Sequence, residues 1–181
     1  LMGAGQSTPR QRLDLYSYLL AGKTEFWRAH RQYAGIIHFV YLTCSYPGVY
    51  TSDHFRDVTK LELDPAFADY VGQAFQPLGV YINCFQPKLA AGSSRSFKVM
   101  MVNDYPQAVR GTLVLSLENK SGQSLAKAEQ RFELAAGGDA SYELPLTFPA
   151  ATGKCVLKAI ATPNGDGKSE ATISRRWVKV E

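Results

Sequence analysis

Apolar and polar residues alternate along much of the second half of this chain, and the alternation predicts strands. Leu113, Leu115 and Leu117 share one side of an extended segment, as do Tyr142, Leu144, Leu146 and Phe148, because successive side chains of a strand point to opposite faces. Seven runs of strand character are expected, at 80–85, 96–102, 111–118, 125–134, 141–148, 154–161 and 171–180. Residues that favour turns separate them at 87–94, 104–106, 119–122, 137–139, 149–153 and 163–167. Seven short strands in about 100 residues predict a mainly β fold, an immunoglobulin-like antiparallel β-sandwich.

The pattern before Pro77 is different. Thr8 followed by Pro9 supplies a helix cap and a proline at the first helical position, and Leu15, Tyr18, Leu19, Phe26 and Trp27 continue at helical spacing. A helix over 9–32 follows. Gly22 weakens its middle by about 1 kcal/mol relative to alanine, and Gly35 stops it. The run Ile36-Ile37-His38-Phe39-Val40-Tyr41-Leu42 is almost continuously apolar and rich in β-branched and aromatic residues, the mark of a strand buried on both faces. A polar loop over 43–60 leads to Asp64-Pro65, which caps a second helix carrying Phe67, Tyr70, Val71, Ala74 and Phe75 on one stripe. Composition therefore divides the chain into 1–76, read as helix, strand, loop and helix, and 77–181, the sandwich.

With 45% hydrophobic and 20% charged residues, the 181-residue chain matches a packed protein rather than a disordered one. The net charge of +4 comes from 20 basic residues interleaved with 16 acids, so no nucleic-acid partner is expected. The densest basic stretch, 10–31, also carries the apolar helix positions, and its charges read as a solvated helix face. The longest apolar run, 34–42, is too short to span a bilayer, and no membrane partner is expected. The start, LMGAGQSTPRQR, has no apolar signal-peptide core and reads as a cut end or a loop. Cys44, Cys84 and Cys155 lack paired metal-ligand spacing. A Cys84–Cys155 bridge is open to the two strands that carry them, and buried free thiols are the expectation.

Candidate chemistry is sparse. His38 lies on the apolar run, where a histidine serves as acid, base or sugar ligand, or more commonly as a buried ring bonded to a neighbour. Asp53, His54 and Asp57 read as a polar loop, since one histidine is too few for a metal site. Asn164-Gly165-Asp166-Gly167 reads as a hairpin turn rather than a calcium loop. Tyr46, Tyr50 and Phe55 gather in one segment, either to stack on sugar rings or to seal the helix–sandwich contact. No nucleophile elbow and no phosphate-binding glycine loop is present, so neither a cofactor nor a metal is expected.

Two stretches, AGIIHFVYLTCSYPGVYTSDHFRDVTKLELDP and AFADYVGQAFQPLGVYI, resemble the end of the catalytic barrel in glycoside hydrolase family 2, which contains β-galactosidases, β-glucuronidases and β-mannosidases. In that family the eighth barrel strand is followed by a Trp-Pro or Tyr-Pro loop and a last helix. The helix leads directly into a C-terminal immunoglobulin-like sandwich, as Phe75-Gln76-Pro77 does here. The resemblance implies that EFWRAHR ends the seventh barrel helix and that 36–42 is the eighth strand of a (β/α)8 barrel. Phe39 falls where the family usually has a tryptophan that floors the sugar site. His38, Tyr41 and Tyr46 would face the same barrel mouth, where such barrels hold their active sites.

The resemblance also implies what this chain does not carry. A retaining glycosidase needs two carboxylates about 5–5.5 Å apart, and in the family they come from the fourth and seventh strands, the acid/base following an asparagine. No Asn-Glu pair occurs here, Glu25 falls inside a helix, and Glu118, Glu129, Glu133 and Glu143 fall in sandwich strands. The expectation is a non-catalytic C-terminal portion of a glycoside hydrolase, partnered by the rest of its barrel, with carbohydrate near Phe39. The family points to a periplasmic or extracellular setting. A free-standing carbohydrate-binding or adhesion module and a structural interaction domain are the alternatives.

Overall fold

A computed structural model describes residues 5–32, 35–38, 54–57, 59–150, 153–165 and 170–181. They form two helices and ten strands: α1 (Pro9–Ala29), β1 (Phe55–Asp57), β2 (Glu62–Leu63), α2 (Pro65–Ala74), β3 (Leu78–Ile82), β4 (Lys88–Leu89), β5 (Ser94–Asn103), β6 (Val109–Glu118), β7 (Ser124–Leu134), β8 (Asp139–Thr147), β9 (Gly153–Pro163) and β10 (Thr172–Val180). The chain is thus mainly β.

Both helices begin where the caps place them. The Thr8 hydroxyl accepts from the Gln11 amide while the Gln11 side chain accepts from the Thr8 amide, so two otherwise orphaned donors of α1 are satisfied. At α2 the Asp64 carboxylate accepts from the amides of Ala66 and Phe67. α1 passes through Gly22 unbroken and ends at Ala29, three residues before the expected 32. The strand expected at 36–42 is not formed by Ile36, Ile37 and His38, and Ile37 is 93% exposed. Among the described residues none of the strands pairs with them. Residues 39–42 lie outside the described residues, as do parts of the expected turns at 149–153 and 163–167.

Two sheets make the sandwich. The smaller has the order β3-β5-β8 and is antiparallel throughout. The larger has the order β4-β10-β9-β6-β7, antiparallel except where β4 runs parallel to the end of β10. Alternation places Leu113, Leu115 and Leu117 of β6 and Leu144 and Leu146 of β8 inward. There they meet Val80, Ile82, Phe97, Val99 and Met101 from the smaller sheet and Leu157, Ala159 and Ala161 from β9. Burying each large side chain contributes about 1.5–3 kcal/mol, and this shared core is the sandwich's main source of stability. Cys84 and Cys155 are both buried and are not bridged to each other.

The helices lie over β3 and β10, and β3 is consequently buried on both faces. Leu78, Val80 and Ile82 enter the sandwich core, while Tyr81 meets Phe26 of α1 with ring centroids 5.9 Å apart. Gly79 makes the close approach possible. A Cβ at this position would lie 2.4 Å from Val102 Cγ2 and 3.3 Å from the Arg28 guanidinium carbon. A second, thinner core of Ala21, Phe67, Val71 and Ala74 joins α1 to α2.

Two glycine substitutions should therefore act in opposite directions. Gly79→Ala is expected to destabilise the protein by about 1–3 kcal/mol through overpacking. Gly72→Ala, on an exposed helical position with no atom within 4 Å of the new Cβ, should stabilise it by about 0.5–1 kcal/mol. Urea unfolding of the two variants checks both signs.

Candidate functional site

The polar centre of the molecule joins α1 to β10. Thr172, Ser174 and Arg176 share a strand face with Val178 and Val180, so one face of β10 is apolar at one end and polar at the other. The polar end receives Glu25. Its carboxylate accepts from Arg176 Nη2 at 2.8 Å and from Ser174 Oγ at 2.7 Å, and Arg176 Nε donates to the Ile82 carbonyl at 3.2 Å. The Arg176 guanidinium also lies 5.2 Å from the centroid of Tyr81, within range of a cation–π contact. Glu25 and Arg176 are both buried. Burial pushes the Glu25 pKa up, and Arg176 and Ser174 oppose that shift by stabilising the carboxylate.

Further polar contacts ring this pair. Arg28 donates to the carbonyls of Ala74 and Pro77 and pairs with Asp104 at 2.7 Å. Arg175 holds Asp69 of α2 through two bonds of 2.9 Å. The Tyr18 hydroxyl accepts from the Trp177 amide, and the Tyr18 ring stacks on the indole at 4.1 Å and 5°.

Beside this pair a groove of ≈ 580 Å³ opens between α1 and the segment joining β3 to β4. Tyr18, Phe26, Phe85 and Trp177 form most of its aromatic wall, with Lys23 and Arg176 also lining it. Phe85 is 72% exposed and Leu19 is 51% exposed at this groove. Sequence reasoning does not find the groove, because its walls come from residues around 20, 85 and 176. The one local signal is an exposed phenylalanine at the end of an expected strand.

Of the residues expected to face a sugar, His38 is described, whereas Phe39, Tyr41 and Tyr46 lie outside the described residues. His38 is bonded to a second histidine. Its Nε2 lies 2.7 Å from His54 Nε2, so one ring donates and the other accepts. His54 is packed between the rings of Tyr16 and Phe67 and is buried rather than exposed in a polar loop. Burial lowers the His38 pKa, since it disfavours the charged ring. Asp57 lies in β1, close enough to Lys60 for an ion pair, and Asp53 lies outside the described residues. Among the described residues no three His, Cys, Asp or Glu side chains gather as a metal site.

The glutamates considered for catalysis are held elsewhere. Glu118 pairs with Lys158, Glu129 with Lys127, Glu133 with Arg110, and Glu143 accepts from Ser96.

No protein-family model matches the sequence, and a search of the curated proteins finds no match. Many solved structures resemble the chain in part, among them the following three. A cycloisomaltooligosaccharide glucanotransferase from Paenibacillus sp., complexed with cycloisomaltoheptaose, is 16% identical, with a TM-score of 0.42 over 56% of this chain and 13% of its own. A family 123 glycoside hydrolase from Clostridium perfringens is 11% identical, with a TM-score of 0.40 over 58% of this chain and 27% of its own. The sporulation control protein Spo0M from Bacillus subtilis is 12% identical, with a TM-score of 0.43 over 59% of this chain and 50% of its own. The chain thus spans half or less of the length of each of these proteins.

Arg176→Met should cost about 3–5 kcal/mol, because it leaves Glu25 buried without its cation. Glu25→Leu combined with Arg176→Met should recover most of that loss. In the single variant the folded-state pKa of Glu25 rises further above its ordinary value of 4.5. The folded state then binds the proton more tightly, so stability falls as pH climbs above 4.5. Urea unfolding at pH 4.5 and at pH 7 should show the larger penalty at pH 7, and equal penalties would contradict an ionised Glu25.

Proposed function

We propose that the chain is the non-catalytic C-terminal portion of a glycoside hydrolase of the family 2 type. Residues 1–76 are the last helix-strand-helix of its barrel and 77–181 the immunoglobulin-like sandwich that supports it. His38, Phe39, Tyr41 and Tyr46 line the sugar site of the complete enzyme.

The observation that carries this reading is where apolar surface remains uncovered. Apart from Leu19 and Phe85 at the groove, the large apolar residues left exposed among those described are Trp27, Ile37, Leu61 and Phe75. All four precede Pro77. Trp27, Ile36 and Phe75 also line a second cleft of ≈ 360 Å³. The sandwich has a closed core, whereas the helical layer has a thin one and presents apolar side chains outward. An uncovered apolar face of this kind marks a contact surface, and the remaining strands and helices of a barrel are the cover that the sequence resemblance supplies. They would also give Ile36–Leu42 its neighbouring strands. The strand orders β3-β5-β8 and β10-β9-β6-β7 support the immunoglobulin-like reading.

The reading frame upstream of Leu1 decides between a barrel partner and a free-standing module. It should encode one strand with an Asn-Glu pair and a second strand bearing glutamate, and an initiator codon directly before Leu1 would overturn the proposal. The purified chain should not turn over nitrophenyl β-glycosides, because both catalytic carboxylates lie on the missing strands. Saturable binding of oligosaccharides by the isolated chain, followed through Trp27 and Trp177 fluorescence, would favour a carbohydrate-binding module. Self-association without a sugar response would favour an interaction domain.

A further inference from the structure

We infer that the groove between α1 and the β3–β4 connection binds a small amphipathic carboxylate, its anionic end at Lys23 and Arg176 and its apolar body against Phe26 and Phe85. This inference does not rest on the preceding reading. The groove's ≈ 580 Å³ falls within the range of small-molecule sites, about 300–1,000 Å³. Its walls are mainly apolar and are held rigid, since Tyr18 is stacked on Trp177 and bonded to the Trp177 amide. Leu19 and Phe85 remain exposed at it, a cost in water that an apolar ligand would remove.

Charge selects the head group. The lining residues include Lys23 and Arg176 but no aspartate or glutamate. Arg176 is balanced by Glu25, while among the described residues no carboxylate pairs with Lys23. The groove therefore carries a net positive charge. Arg176 Nη1 donates to the Arg175 carbonyl, and its second N–H has no acceptor among the described residues. Of the other polar groups, Gln86 Oε1 already accepts from Arg95 and the Tyr18 oxygen already accepts from the Trp177 amide. A sugar needs many paired hydrogen bonds, whereas a carboxylate needs the two cations and little else.

Gly22 keeps this place open. It sits in the interior of α1, where alanine would be the better helix former. A Cβ there would lie 3.9 Å from Arg176 Nη1, an ordinary contact, so the packing does not demand glycine. A larger side chain would cover the guanidinium and fill the groove.

The test uses the full chain carrying Trp27→Phe, which leaves Trp177 as its one indole. Decanoate below its micelle concentration and 2-naphthoate are titrated by calorimetry, with Trp177 emission as a second readout for decanoate. Both acids should saturate at one site per chain. Lys23→Glu should weaken them about tenfold, Lys23→Arg should retain them, and Gly22→Leu should abolish binding with an unchanged circular dichroism spectrum. Decanol should bind about tenfold more weakly than decanoate. Absence of saturation, equal affinity for decanol, or binding unaffected by both Lys23→Glu and Gly22→Leu would overturn the inference. So would saturation by an oligosaccharide with no response to the acids.

Discussion

The buried pair of Glu25 and Arg176 sets where the helices sit on the sandwich. Two charges removed from water carry a desolvation penalty that their attraction offsets only in good geometry. Here the geometry is supplied from three places: Arg176 from β10, the Ile82 carbonyl from the end of β3, and Glu25 from the C-terminal part of α1. Sliding α1 by one turn, about 5.4 Å, would leave both charges buried and unpaired. An apolar contact tolerates such a shift far better, because the hydrophobic effect has no direction. The pair therefore specifies one position for the helix. The Arg28 and Arg175 contacts around it are more exposed and contribute less, as partly solvated ion pairs do.

With α1 held in this position, β3 becomes a strand with two interiors. One face belongs to the sandwich core and the other to the helical layer, where Gly79 admits Arg28 and Tyr81 meets Phe26 and Arg176. The groove is a consequence of the same docking. α1 reaches β10 through Tyr18 and Trp177 and reaches β3 through Phe26 and Tyr81, and the space between these contacts and Phe85 is left unfilled. A helix drawn closer would close it. The stand-off follows from accommodating a guanidinium and a carboxylate rather than two methyl groups.

The two halves of the chain differ in how completely they satisfy themselves. The sandwich encloses a core from both its sheets, and its named glutamates hold nearby cations or a hydroxyl. The helical layer has a small core and an outward apolar surface around Trp27 and Phe75. That contrast gives the proposed barrel contact its physical basis, and it separates the contact from the groove, which has its own walls and its own charge.

The sequence by itself determined the elements whose signals are local. The Thr8-Pro9 and Asp64-Pro65 caps placed both helix starts, and alternation through Leu113, Leu115 and Leu117 placed a strand and its buried face. The seven expected strands all appear, with ends shifted by a few residues. Elements too short for a period, the two residues each of β2 and β4 and the three of β1, carried no such signal. The candidate site depended on tertiary structure. Glu25 read as one more position in a helix, and Arg176 as one more residue in a strand. Their bond joins residues 151 positions apart, and only packing brings them together. His54 read as part of a polar loop until α2 and Tyr16 enclosed it beside His38. Periodicity reports which side of an element is apolar, but what that side meets is decided by long-range packing, which no local pattern contains.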